Sequence, residues 1–235
     1  MNVKRFPLSS QEKKQVESIL VKAGKAKEKR DIRLITFGAL GKLLTGSERT
    51  LIARLRSTNP ATLGFKGRFF GIRKVPTDLV ALRRQTYQLD GKAKKIETQY
   101  LPPAPYAAFK KLQQALRKET GTILFAGSGY RSPAYQLVVF LWNVRREHFN
   151  VAKVATKVAL PGYSEHGNPK RQAIDFTLAK ESSKKNKTTM FSNSREYRWL
   201  IKNANRFHFY ESYPRNNKSG VIYEPWHWHY RENAA

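Results

Sequence analysis

Residues 122–136 read Thr122-Ile-Leu-Phe-Ala-Gly-Ser-Gly-Tyr-Arg-Ser-Pro-Ala-Tyr-Gln136. The apolar run 122–126 predicts a buried strand, Gly127-Ser-Gly129 a turn leaving it, and the residues from about 133 to 148 a helix. Upstream, Phe109, Leu112 and Leu116 share one face of a helix predicted over 106–118. Downstream, 180–195 reads as a polar, lysine-rich loop, and 195–205 as an amphipathic helix with Tyr197, Leu200 and Ile201 facing inward. Short strands are predicted around 207–210 and 221–230. Helices and short strands that do not alternate regularly predict an α+β fold.

The first third reads as helical. Ser9-x-x-Glu12 has capping-box spacing and is followed by Val16, Ile19, Leu20 and Ala23 at three-to-four intervals. Asp31 can cap a second segment carrying Leu34, Ile35, Leu40 and Leu43. Ser47, Thr50, Leu51, Ile52 and Leu55 predict a third helix ending before Asn59-Pro60. Residues 63–75 (LGFKGRFFGIRKV) alternate aromatic and basic side chains between glycines and predict a short hairpin.

Forty per cent of the 235 residues are hydrophobic and 12% aromatic, enough apolar material for a packed core. Lys and Arg number 45 against 17 Asp and Glu, a formal charge of +28. The excess is spread along the chain, with 23 basic and 8 acidic residues in 1–100 and 22 and 9 in 101–235. Such a charge predicts an anionic partner, whether nucleic acid, an acidic membrane surface or an anionic wall polymer. The absence of cysteine excludes disulfides, thiolate zinc sites, iron–sulfur clusters and a cysteine nucleophile. Any metal must then be held by His, Asp or Glu, and there are five histidines. No run reaches the roughly 20 apolar residues of a membrane span, which predicts a soluble protein. The basic start MNVKRFPLSSQEKK has no apolar stretch behind it.

Four clusters in the second half combine reactive side chains with predicted strand ends and turns: 128–136, Ser164-Glu-His166, Ala173-Ile-Asp175 and Tyr223-Glu-Pro-Trp-His-Trp-His-Tyr230. Along a strand Trp226 and Trp228 point one way and His227 and His229 the other, so tryptophans can enter the core while histidines face a cleft. Glu224, separated from His227 by a proline, can bend back toward the same space. Two His and an Asp with a Glu nearby make the ligand set and base that a hydrolytic zinc needs. Arg131 offers a fork of donors to a developing oxyanion or a substrate carboxylate.

Taken in order, SGYRSPAYQ, S-E-H, A-I-D-F, W-L-x-x-N-A (199–204), F-x-x-S-Y-P (209–214) and E-P-W-H-W resemble the VanY-type D-alanyl-D-alanine carboxypeptidases, zinc peptidases that trim peptidoglycan stem peptides. The resemblance runs from about residue 70 to 231. It implies the small α+β fold of that family, an antiparallel sheet carrying the zinc with helices packed on it, as a zinc D,D-peptidase domain over 70–235; residues 1–69, basic and mainly helical, lie outside it as an N-terminal extension. It implies one Zn2+ held by His166, Asp175 and His227, Glu224 as general base and Arg131 on the substrate carbonyl or carboxylate. Gln136 and Ser164 are implied as further substrate contacts. The chain departs from the family pattern in carrying eight residues (GNPKRQAI) between His166 and Asp175 where six are usual. It also has His229 where Arg is common, which makes His229 the substitute ligand for Asp175, and His208 at a usual glycine position.

The leading expectation is therefore a carboxypeptidase that removes the terminal D-alanine from stem peptides, with anionic envelope polymers as partners and a periplasmic or extracellular location. A crosslink-cleaving endopeptidase or phage-type endolysin, made in the cytoplasm, is the alternative within the same chemistry. A basic nucleic-acid-binding protein is the alternative of another class. Against it, there is no zinc-finger spacing, helix-turn-helix signature or aromatic RNA-binding motif.

Overall fold

The structure, a computed structural model, describes residues 6–29 and 31–232; the first five residues of the basic start and the last three of the 70–235 segment lie outside the described residues. In chain order the elements are α1 (Ser10–Lys29), α2 (Phe37–Gly41), α3 (Gly46–Ser57), β1 (Val80–Leu82), β2 (Thr86–Leu89), β3 (Lys92–Lys95), β4 (Gln99–Leu101), α4 (Pro103–Thr120) and β5 (Leu124–Ser128). They continue with α5 (Pro133–Arg146), α6 (Val151–Ala155), β6 (Ala173–Leu178), β7 (Lys180–Glu181), α7 (Lys187–Ser192), α8 (Arg195–Asn203), β8 (Phe209–Glu211) and β9 (His227–Tyr230). Helices and small sheets are mixed, and the N-terminal region is helical.

The chain divides into two compact units. One comprises the described residues of Met1–Val75 with Arg131–Gly167 and Asn217–Ile222, and the other Pro76–Tyr130, Asn168–Asn216 and the described residues of Tyr223–Ala235. Among the described residues every strand lies in the second unit, while α1, α2, α3, α5 and α6 make the first.

The helical unit is built around the stripe read from α1. Val16, Ile19 and Ala23 are buried with Leu51 and Leu55 of α3 and Leu137, Phe140 and Val144 of α5 in one apolar cluster. The Ser9–Glu12 box closes as spaced, with the Ser9 N–H donating to Glu12 Oε2 (2.9 Å) and the Glu12 N–H to Ser9 Oγ (3.2 Å). A second box starts α3, where Thr45 and Glu48 exchange bonds, one residue pair earlier than the Ser47 start predicts. Asp31 caps only the 3-10 turn Ile32–Leu34, and Thr36 caps α2. The hairpin expected over 63–75 does not form. The Lys66 N–H donates to Ser219 O (2.7 Å) and the Phe70 N–H to Gly162 O (2.7 Å), so the backbone donors bind two loops in place of a partner strand.

In the sheet unit, β5-β6-β9-β8 form a four-stranded antiparallel sheet. Ile174 and Phe176 of β6 and Trp228 of β9 are buried with Phe109, Leu112 and Leu116 of α4 and Leu200 of α8. β1 pairs with β4, and β3-β2-β7 form a third sheet in which β2 and β7 run parallel. Four local expectations are corrected here. The loop over 180–195 contains β7 and α7, the latter capped by Asn186. β5 continues through Gly127 to Ser128 with a register shift after Ala126, so the glycine turn comes later. Ile201 is 53% exposed, outside the buried stripe of α8. The last strand begins only at His227.

Candidate active site

The candidate residues fall into two groups, one in each unit. In the sheet unit, pairing of β6 with β9 sets Asp175 directly opposite His227 and Ala173 opposite His229. Because side chains alternate, Asp175, His227 and His229 share one face, while Ile174, Phe176 and Trp228 enter the core on the other. The core of the sheet thereby orients the polar face. Asp175 Oδ1 stands 2.8 Å from His227 Nδ1, and Glu224 Oε2 stands 4.0 Å from the same nitrogen.

Pro225 explains how Glu224 reaches that position. A proline has no N–H for a ladder and fixes its own φ, so residues 224–226 fold as a turn before β9. The His227 N–H donates to Glu224 O (3.0 Å), the Glu224 N–H to Tyr213 O (3.1 Å), and the Phe176 N–H to Trp226 O (2.9 Å). The Tyr213 ring lies 4.7 Å from the His227 ring. His229 Nδ1 pairs instead with Ser212 Oγ at 2.7 Å. Tyr213 and Ser212 were not singled out by the sequence reading, although both fall within the F-x-x-S-Y-P motif.

In the helical unit, Arg131, Gln136, Ser164 and His166 are joined by backbone and side-chain hydrogen bonds. The Arg131 N–H donates to His166 O (3.0 Å), and the His166 N–H to Ser164 Oγ (3.3 Å). Arg131 Nη1 donates to Gln136 Oε1 (3.0 Å), and Gln136 Nε2 to Ala159 O (2.7 Å). His166 and Gln136 are 3% and 2% exposed, so neither is an ordinary surface side chain. Ser132 holds this group and was not assigned a role by sequence. Its Oγ caps α5 by accepting from the Tyr135 N–H (3.1 Å) and donates to Ile35 O (2.6 Å), while its N–H donates to Arg33 O (2.9 Å). Its signature, a Ser before a helix-starting Pro, was available in Ser132-Pro133.

The residues preceding Arg131 have their own packing reason. A Cβ on Gly129 would stand 2.3 Å from Tyr100 O, so only glycine lets the backbone approach β4 and the Tyr130 N–H donate to that oxygen (2.6 Å). The Tyr130 ring is fully buried, and burial pushes its phenol up to about 12. His208 adopts φ +62°, the left-handed region glycine favours, which accounts for its standing at a usual glycine position.

A family model described as "VanY: D-alanyl-D-alanine carboxypeptidase" matches residues 98–233, more than half of the chain. The chain belongs to the VanY family. It is a carboxypeptidase-type peptidase by that membership. Among curated proteins, "Putative carboxypeptidase YodJ" of Bacillus subtilis (strain 168) is 27% identical over 209 residues, covering 78% of this chain and 74% of that protein. The solved LdcB LD-carboxypeptidase, whose structure concerns peptidoglycan recognition, is 28% identical with a TM-score of 0.52, covering 74% of this chain and 78% of that one. A vancomycin resistance D,D-pentapeptidase VanY solved with Zn(II) is 24% identical, with a TM-score of 0.45, over 63% of this chain and 79% of its own. The fold is similar to that of LdcB, and no helix among the described residues is long and apolar enough to cross a membrane.

Proposed function

We propose that this VanY-family chain is a zinc-dependent carboxypeptidase that removes the terminal D-alanine from peptidoglycan stem peptides, with residues 70–235 as its peptidase domain. The observation that carries the reading is the Asp175–His227 pair, 2.8 Å apart on one sheet face with Glu224 Oε2 4.0 Å from the imidazole. An imidazole nitrogen and a carboxylate oxygen are donors that zinc accepts, and His166 supplies the third in a His/Asp/His set. Engagement of His229 Nδ1 by Ser212 supports Asp175 over His229 as the carboxylate-or-imidazole partner of His227.

One Zn2+ bound by His166, Asp175 and His227 would polarise the scissile carbonyl and make water acidic enough to deprotonate near neutral pH. Glu224 lies outside that ligand set, and its carboxylate takes the proton of the attacking water and returns it to the departing D-alanine amine. Arg131, steadied by Gln136, directs its guanidinium donors at the substrate carbonyl or terminal carboxylate. Ser164 and Gln136 contact the peptide. The positive charge serves attraction to anionic envelope polymers in the periplasm or outside the cell, with no nucleic-acid partner.

Mass spectrometry of purified muropeptides after incubation with the protein tests the proposal. Loss of one terminal alanine is the expected result; unchanged masses, or cleavage only at crosslinks, would overturn it. Metal analysis of Asp175→Ala and His229→Ala decides the ligand set. Zinc is expected to be lost from the first variant and kept by the second, and the reverse would transfer the role to His229.

A further inference from the structure

The aromatic-basic run that failed to become a hairpin has no part in the chemistry above, yet it is held firmly in the helical unit. From Arg49 to Thr77 the chain has seven Lys and Arg and no Asp or Glu. Phe65 is buried and packs edge-on against Tyr163 at 5.8 Å, and Phe69 lies against the same ring at 4.9 Å. Gly162 has φ +85°, and a Cβ there would stand 2.5 Å from Phe69 Cε2 and 3.1 Å from Ile72 Cδ1. Both side chains thus rest directly on the backbone of the loop that continues through Tyr163 into Ser164 and His166. Even so, Phe69 is 55% and Ile72 43% exposed. Arg68 and Arg73 flank them, exposed and without an ion pair among the described residues.

Two neighbouring exposed apolar side chains packed on one loop and flanked by guanidinium groups make an amphipathic patch, and aromatic and Arg side chains are the usual anchors of a recognition surface. We infer that Arg68, Phe69, Ile72 and Arg73 form a binding surface for the anionic peptide that precedes the cleaved residue. The inference rests on the proposed carboxypeptidase reading. Charge selects the occupant, since the stretch 49–77 that carries this surface has seven Lys and Arg and no acid, which favours a carboxylate-bearing chain. Continuity with the loop carrying Ser164 makes that chain the substrate itself, with apolar side chains on Phe69 and Ile72 and carboxylates on the two arginines.

The test compares two substrates with the same D-alanyl-D-alanine end: an N-acyl dipeptide, and a pentapeptide bearing additional free carboxylates. In Arg68→Glu/Arg73→Glu and in Phe69→Ala/Ile72→Ala, the ratio of kcat/KM for pentapeptide over dipeptide is expected to fall about tenfold, through KM, and for the charge reversal less so as salt rises. An unchanged ratio overturns the inference. If the aromatic pair loses cooperative unfolding, the charge-reversed pair, both on the surface, decides alone. If the wild type cleaves neither substrate, the carboxypeptidase reading fails, and calorimetric binding of the pentapeptide amide takes over. Weaker binding by the charge-reversed variant then sustains the surface, and equal binding overturns it.

Discussion

The two units solve different problems with different means. The helical unit is assembled from three separate stretches of sequence, carries 24 basic and 7 acidic residues, and positions Arg131, Gln136, Ser164 and His166 through caps and loop hydrogen bonds. The sheet unit carries 21 and 10, and positions Asp175, His227 and Glu224 through strand register and one proline turn. Register sets side-chain direction residue by residue, so it suits groups that must meet at 2.8 Å. A capped loop instead fixes its side chains through individual hydrogen bonds, as Arg131 Nη1 to Gln136 Oε1 and the His166 N–H to Ser164 Oγ show.

The largest expected effect falls on the sheet unit's chemistry. Glu224→Gln should lower the rate of D-alanine release by about 10²–10⁴-fold, the range for losing a positioned base, while zinc content stays unchanged. Activity near the wild-type level would show that the proline turn serves structure only. Next come the cores. Phe176→Ala in the sheet unit and Leu137→Ala in the helical unit should cost about 3–5 and about 2–5 kcal/mol in urea unfolding. Hydrogen exchange should show lost protection first in β6 for one and in α5 for the other.

Acid separates the units further. In the helical unit burial acts to raise Glu48, but hydrogen bonds from Lys22, Ser18 and the Thr45 N–H, with the Lys22 charge, outweigh it and hold the carboxyl at about 2. Its folded pKa is depressed from 4.5, so its contribution is present above about 4.5 and lost as pH falls toward 2. In the sheet unit burial raises Glu211, with the Tyr197 hydroxyl bond opposing it. Its contribution is therefore full below its unfolded value and lost as pH rises through the folded one. Urea titrations at several pH values should find Glu48→Gln losing stability at neutral pH but not at pH 2, and Glu211→Gln gaining relative to wild type as pH rises. The smallest effect is a cap: Thr45→Ala should cost about 1 kcal/mol.

Elements whose stabilising contacts are local in sequence were legible. The Ser9–Glu12 box and the 109/112/116 face of α4 both formed, because spacing alone determines which side chains share a face, and the strand read at 122–126 formed as β5, displaced to Leu124–Ser128. The same logic failed for 63–75. Its alternating pattern was that of a hairpin, but Ser219 and Gly162, about 150 and 90 residues away, took its backbone donors. Ile201 fitted the helical stripe of α8 by spacing and still faces water, since nothing in the pattern says how wide the covering core is.

For the site, the kinds of group were readable and their meeting was not. Zero cysteine and five histidines left only nitrogen and oxygen donors, and the order of motifs named the candidates. Alternation also required His227 and His229 to share a face. Which of them meets Asp175 was decided by the antiparallel register of β6 and β9, a pairing across 52 residues that no local rule contains. Equally, only tertiary structure turned a Ser-Pro helix start into the anchor of Arg131, by supplying Ile35 O and Arg33 O from the N-terminal third. Composition and spacing determine what chemistry a chain is able to do; long-range backbone pairing, where the loop entropy is overcome, determines which atoms are near enough to do it.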